Sequence, residues 1–84
     1  MRADDMLKDE EHNRDFGGVN VRKGTIAAFI ANVRVMTDPD AASDEISTAR
    51  ADIVSAVPAL RAVGLLEVMS IKDERVRALV ESVA

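Results

Sequence analysis

Residues 24–36 (Gly-Thr-Ile-Ala-Ala-Phe-Ile-Ala-Asn-Val-Arg-Val-Met) constrain this chain more than any other segment. The stretch is too apolar for an ordinary surface helix and well short of the roughly 18 apolar residues that cross a bilayer. It therefore needs cover on more than one side. At 100° per residue from Ile26, its side chains sort into two faces. Ile26, Phe29, Ile30, Val33 and Met36 fall within about 120° and form a bulky stripe, which is expected in the core. Gly24, Ala27, Ala28, Ala31 and Val35 lie on the opposite side, with Asn32 and Arg34 on the borders. This small face suits water, because alanine is the best helix former anywhere. It equally suits close approach by another helix or a second subunit, since small side chains let backbones come together. It is the candidate interaction face.

The rest of the chain supplies partners for that helix. Thr37, Asp38 and Pro39 should end it and open a second helix, with Asp38 as N-cap and Pro39 in the first turn. Ile46, Ala49, Ile53, Val57 and Leu60 then recur three or four apart. Pro58 falls inside this pattern and cannot donate to the Val54 carbonyl, which predicts a kink or a break. Gly64 suits a left-handed helix end. Residues 65–69 form an apolar connector, in extended form with Leu66 and Val68 on one side. A third helix is expected from Ser70, with Ser70 and Asp73 as a pair like a capping box and Asp73–Arg77 as an i,i+4 ion pair. Val76, Leu79, Val80 and Val83 make its stripe.

Upstream, Gly17 and Gly18 interrupt any helix, and Val19 and Val21 around Asn20 carry a short extended signature. The expected fold is all-α: a small bundle of three helices, or four if the second breaks at Pro58. A minor two-stranded element could pair residues 19–21 with 66–68. The expected core comprises Ile26, Phe29, Ile30, Val33, Ile46, Ile53, Val57, Leu60, Leu65, Val76, Leu79 and Val80.

Eighty-four residues make one small domain. Its net charge of −4 is unevenly placed. Residues 1–15 contribute −3 of it, through Asp4, Asp5, Asp9, Glu10, Glu11 and Asp15 against Arg2, Lys8 and Arg14. With Met6 and Leu7 as its only large apolar side chains apart from Met1, this segment reads as a disordered or weakly helical acidic tail. Residues 16–84 then form the helical domain. The charged N-terminus has no apolar core of a secretory signal, and no cysteine is present. Both point to the cytoplasm.

The same composition removes most chemistry. Without cysteine there is no thiol nucleophile, zinc–thiolate site or disulfide. The single histidine, His12, sits among Asp9, Glu11 and Asp15, where a solvated side chain is the simpler reading than a metal ligand. Asp38, Asp40 and Asp44 fail as a calcium loop, because the sixth place is Ser43 and the twelfth is Ala49 where glycine and glutamate are needed. Capping carboxylates account for them better. The serines have no histidine partner outside the tail, and no Gly-x-Ser-x-Gly elbow occurs. No enzyme, cofactor or metal site is expected.

Lys23-Gly24-Thr25 has its lysine before the glycine, so it is no phosphate loop. Arg22, Lys23 and Arg34 remain as candidate anion or nucleic-acid contacts near the first helix. Helix-turn-helix DNA binding is disfavoured. The connector after Gly64 is too long, and the third helix carries Asp73, Glu74 and Glu81 against Lys72, Arg75 and Arg77.

Two segments carry a resemblance. Gly24-Thr25-Ile26-Ala27 leading to Asn32-Val33, and Val57-Pro58-Ala59-Leu60-Arg61-Ala62-Val63-Gly64-Leu65, resemble a group of small uncharacterised bacterial helical proteins. That group pairs a Gly-Thr-Ile/Val-Ala helix start with a Pro-x-Leu-x-x-Val-Gly-Leu helix end. The resemblance covers about residues 17–70. It implies a compact bacterial helical fold and transfers no activity and no site residue. The functional expectation is a non-enzymatic protein–protein interaction module, as a homodimer or a small partner of a larger complex. The alternatives are a regulatory nucleic-acid-associated protein and a small-ligand or anion binder at the N-terminus of the first helix. No membrane association is expected.

Overall fold

The computed structural model describes residues 13–84. These form a β-hairpin followed by four helices: β1 (Asn13–Phe16), β2 (Val19–Arg22), α1 (Thr25–Met36), α2 (Ser43–Ala62), α3 (Leu65–Val68) and α4 (Glu74–Glu81). The chain is thus mostly helical but not all-α. The expected tail over residues 1–15 overreaches, since Asn13, Arg14 and Asp15 belong to β1. Residues 1–12, with His12 and the rest of the acidic leader, lie outside the described part.

Local chemistry explains the hairpin. Gly17 and Gly18 form its two-residue loop and both take positive φ, 54° and 85°. A two-residue loop of this handedness matches the twist of the flanking strands. Pairing then costs little closure entropy, so β2 takes β1 as partner and not the distant residues 66–68. The antiparallel register is Asn13↔Arg22, Arg14↔Val21, Asp15↔Asn20 and Phe16↔Val19. Arg14, Phe16, Val19 and Val21 share one face by this alternation. The Arg14 guanidinium lies 5.8 Å from the centre of the Phe16 ring. On the other face, Asn20 Nδ2 donates to Asp15 Oδ1 at 3.1 Å. Val21 is buried where β2 packs on α2.

The central strut is α2. Ala49, Ile53, Val57 and Leu60 form its buried line, and the last three are fully inaccessible. Against them pack Phe29 of α1 and Val76, Leu79 and Val80 of α4. Each aliphatic side chain fully removed from water here contributes about 1.5–3 kcal/mol.

Pro58 does not break α2, which runs unbroken to Ala62. Pro58 and Val54 are both exposed, so the missing N–H bond falls on the side of α2 away from its buried line, where the helix tolerates the loss. The fourth helix arises elsewhere, from residues 65–68, which wind into a single helical turn.

Helix starts also differ from expectation. Asp38 does not cap α2. Its Oδ1 accepts the Asp40 N–H at 2.9 Å, closing a turn that delays the helix to Ser43. Ala42 occupies the N-cap and has no side-chain acceptor, so only the Glu45 half of a capping box is made, Glu45 Oε1 accepting the Ala42 N–H at 3.4 Å. In α4 the cap is Asp73 itself, whose Oδ1 accepts the N–H groups of Arg75 and Val76 at 2.9 and 3.0 Å. Ser70 therefore does not open the last helix. Arg77 faces Glu74 at 3.9 Å instead of Asp73.

Arg61, in the last turn of α2, ties that helix to the C-terminal end of the chain. It donates to the carbonyls of Val80 (3.4 Å), Val83 (2.7 Å) and Ala84 (3.1 Å). The Val80 carbonyl also accepts the Val83 N–H at 3.2 Å, so the guanidinium supplements one bonded carbonyl and serves two beyond the end of α4.

Candidate interaction site

The two faces of α1 do not meet their surroundings as the sequence suggests. Its buried sector centres on Phe29, flanked by the half-buried Val33, Met36, Asn32 and Thr25. That sector is turned toward Asn32 by about 40° from the middle of the bulky stripe. The physical cause is that α1 packs most extensively on α2, which covers the side of Phe29 and Met36 and leaves the Ile30 edge without a neighbour. Ile30, on the far edge of the stripe, is consequently 51% exposed and is not a core residue.

Ile30 is not isolated. It belongs to one wall of a groove, with Ile26, Phe29 and Val33. The other wall is built by Leu65 and Leu66 of α3 and by Met69 and Ile71 after it. Met69 is 64% exposed and the neighbouring Val68 79%. The groove encloses about 250 Å³. Its polar lining consists of Ser70 and two cations, Arg34 and Lys72, and no carboxylate lines it.

The backbone fixes the second wall. Gly64 takes φ 80° and turns the chain back after α2. A left-handed residue at this point is what ends the helix and redirects it. The Met69 N–H closes the turn of α3 on the Leu65 carbonyl at 2.9 Å. Arg77 Nη1 donates to the Ile71 carbonyl at 3.2 Å, which holds the segment after α3 against α4. Leu65, Leu66 and Ile71 each reach the edge of the core, so this wall is anchored from behind.

Two other depressions flank α1 on its α2 side, and their chemistry differs. One, of about 360 Å³, combines Ala28, Ala56 and Ala59 with Asn20, Arg22, Asn32, Asp52 and Ser55. The other, of about 300 Å³, holds Val35 and Asn32 beside Asp44, Glu45, Thr48 and Ala49. Both contain carboxylates.

Of the small-face residues, Gly24, Ala27, Ala28 and Ala31 are exposed and Val35 is half-buried. The candidate basic contacts are not brought together. Arg22 sits in the depression that also holds Asp52, while Arg34 stands on the apolar groove near the other end of α1. At the helix start, Gly24 is the cap in left-handed conformation, and the Thr25 hydroxyl donates to the Arg22 carbonyl at 2.7 Å. Among the described residues, no three histidine, aspartate or glutamate side chains converge as metal ligands. Nor is any described helix long and apolar enough to cross a membrane.

Sequence reasoning missed the second wall of the groove. The available signal was density: Leu65, Leu66, Val68, Met69 and Ile71 place five apolar side chains in residues 65–71, too many for a segment that short to bury.

No protein-family model, curated protein or solved structure matches this chain.

Proposed function

We propose that this chain is a non-enzymatic protein–protein interaction module whose docking surface is the groove between α1 and α3. The observation that carries this reading is the groove itself: apolar on both walls, cationic at its rim and without a carboxylate. Such a trough suits an amphipathic segment that buries aliphatic side chains and presents acidic groups to Arg34 and Lys72. The apolar area gives affinity at about 25 cal/mol per Å² removed from water, and the cations set orientation. The groove is favoured over the small face of α1, because alanines on a convex surface offer little area and no concavity. In keeping with the resemblance of its two helix motifs, we place the module in a bacterial cytoplasm.

Photo-crosslinking tests the reading. A benzoylphenylalanine at position 30, in the groove, is compared with one at position 54, exposed on α2 outside it. The expected result, in extract of the source cell, is a discrete adduct from position 30 that Lys72→Glu removes. Identical adducts from both positions, or none from position 30, would overturn the proposal.

A further inference from the structure

The rim chemistry of the groove has a complement within this same chain. Residues 1–12 carry five acids and two bases, and their apolar pair Met6-Leu7 stands between Asp4-Asp5 and Asp9-Glu10-Glu11. That is the composition the groove calls for: aliphatic side chains for its walls and carboxylates for Arg34 and Lys72. The two depressions on the α2 side suit the leader less well. Asp44 and Glu45 stand in one, which opposes an acidic segment, and in the other Asp52 offsets Arg22 and leaves no net attraction.

Reach is also satisfied. Asn13 is paired with Arg22 across the hairpin, which sets their Cα atoms about 5 Å apart. From Arg22 to Ile26, at the groove wall, is four peptide units and at most about 14 Å. Ile26 therefore lies within about 20 Å of Asn13. The six units from Asn13 back to Leu7 span about 20 Å when extended. A tether this short makes docking intramolecular, with an effective concentration on the order of millimolar. A weak fit is then enough to fill the groove.

We infer that the acidic leader, through Met6 and Leu7, occupies the α1–α3 groove of its own chain and acts as an internal competitor for the partner. This rests on the groove being the docking surface. A partner segment must displace the leader, so the leader sets the affinity threshold for binding.

The chain has no native cysteine, so Ala3→Cys gives a single site for a nitroxide label in the full-length protein. Paramagnetic broadening of methyl signals is then read at Ile30, Met69 and Ile71, with Val54 as an exposed control outside the groove. The expected result is several-fold stronger broadening at the groove methyls than at Val54, unchanged on dilution. Adding Met6→Asp and Leu7→Asp to the labelled chain should remove the contrast. Equal broadening at all four positions, or none, overturns the inference. So does broadening that appears in a mixture of labelled, isotopically silent chains with unlabelled, isotopically visible ones, because the occupant is then a second copy. The two readings fail separately. A position-30 adduct without leader contact leaves the interaction module standing. Leader contact with no adduct, even from the Met6→Asp, Leu7→Asp chain, removes the partner and keeps the leader.

Discussion

Two apolar regions of this molecule are built from the same kinds of side chain and end in opposite states. Along α2, Ile53, Val57 and Leu60 are wholly buried. Along the α1–α3 groove, Ile30 and Met69 are between half and two-thirds exposed. Composition does not separate them. What differs is the number of walls. The buried line of α2 is enclosed by Phe29 from α1 and by Val76, Leu79 and Val80 from α4, and β2 lays Val21 on the same helix. The groove has α1 on one side and a single helical turn with its following segment on the other. A chain this short closes one core and leaves its second apolar cluster open. An open cluster with a cationic rim is a surface that can do something; a closed one only holds the fold.

Truncation should separate the two regions most sharply. Leu60→Ala removes a fully buried side chain at the junction of α2 and α4, and should cost about 3 kcal/mol in chemical denaturation. A loss below about 1 kcal/mol would mean that the core is not closed there. Arg61→Ala comes next. It releases three carbonyls at the end of α4, and a loss of about 1 kcal/mol is expected because the side chain is exposed. Amide exchange should quicken at Val80 and Val83 and stay unchanged at Ile30. Faster exchange at Ile30 would show that the groove depends on α4 as much as the core does.

Ala42→Ser should act in the other direction. Ala42 already has N-cap backbone angles, φ −69° and ψ 152°, but no acceptor. A serine there should stabilise α2 by about 0.5–1 kcal/mol, read as a higher midpoint in urea. The smallest stability effect belongs to Ile30→Glu. Half in water already, the position should change stability by less than about 0.5 kcal/mol. It should nonetheless abolish the position-specific contacts of the groove, because it sets a carboxylate on an apolar wall. A large loss of stability from this substitution would turn the groove wall back into core.

Much of the architecture is legible in residue spacing. The buried line of α2, the stripe Val76, Leu79 and Val80, and the turning role of Gly64 follow from periodicity and from the freedom of glycine at positive φ. The hairpin was partly legible, since Gly17-Gly18 has the length and composition of a two-residue loop. It was obscured by β1, whose Asn-Arg-Asp-Phe sequence looks like the end of a charged tail. Cap positions were the weakest inference, because Asp38 and Asp73 have equal intrinsic claims to cap a helix. Only the turn that Asp38 closes on Asp40 decides between them. For the candidate site, the sequence marked α1 as unusual and picked Arg34 as a border residue. It could not see that Leu66, Met69 and Ile71 would stand opposite.

By itself, then, the sequence determined where this chain must hide apolar surface and that it has no cysteine to offer, because periodicity and composition are local properties. The tertiary structure alone decided which apolar side chains succeed in hiding. Rotating α1 by about 40° about its own axis moves Ile30 out and Asn32 in, at nearly the same intrinsic helix energy. That choice belongs to the packing of α1 on α2. It is also the choice that leaves the groove open.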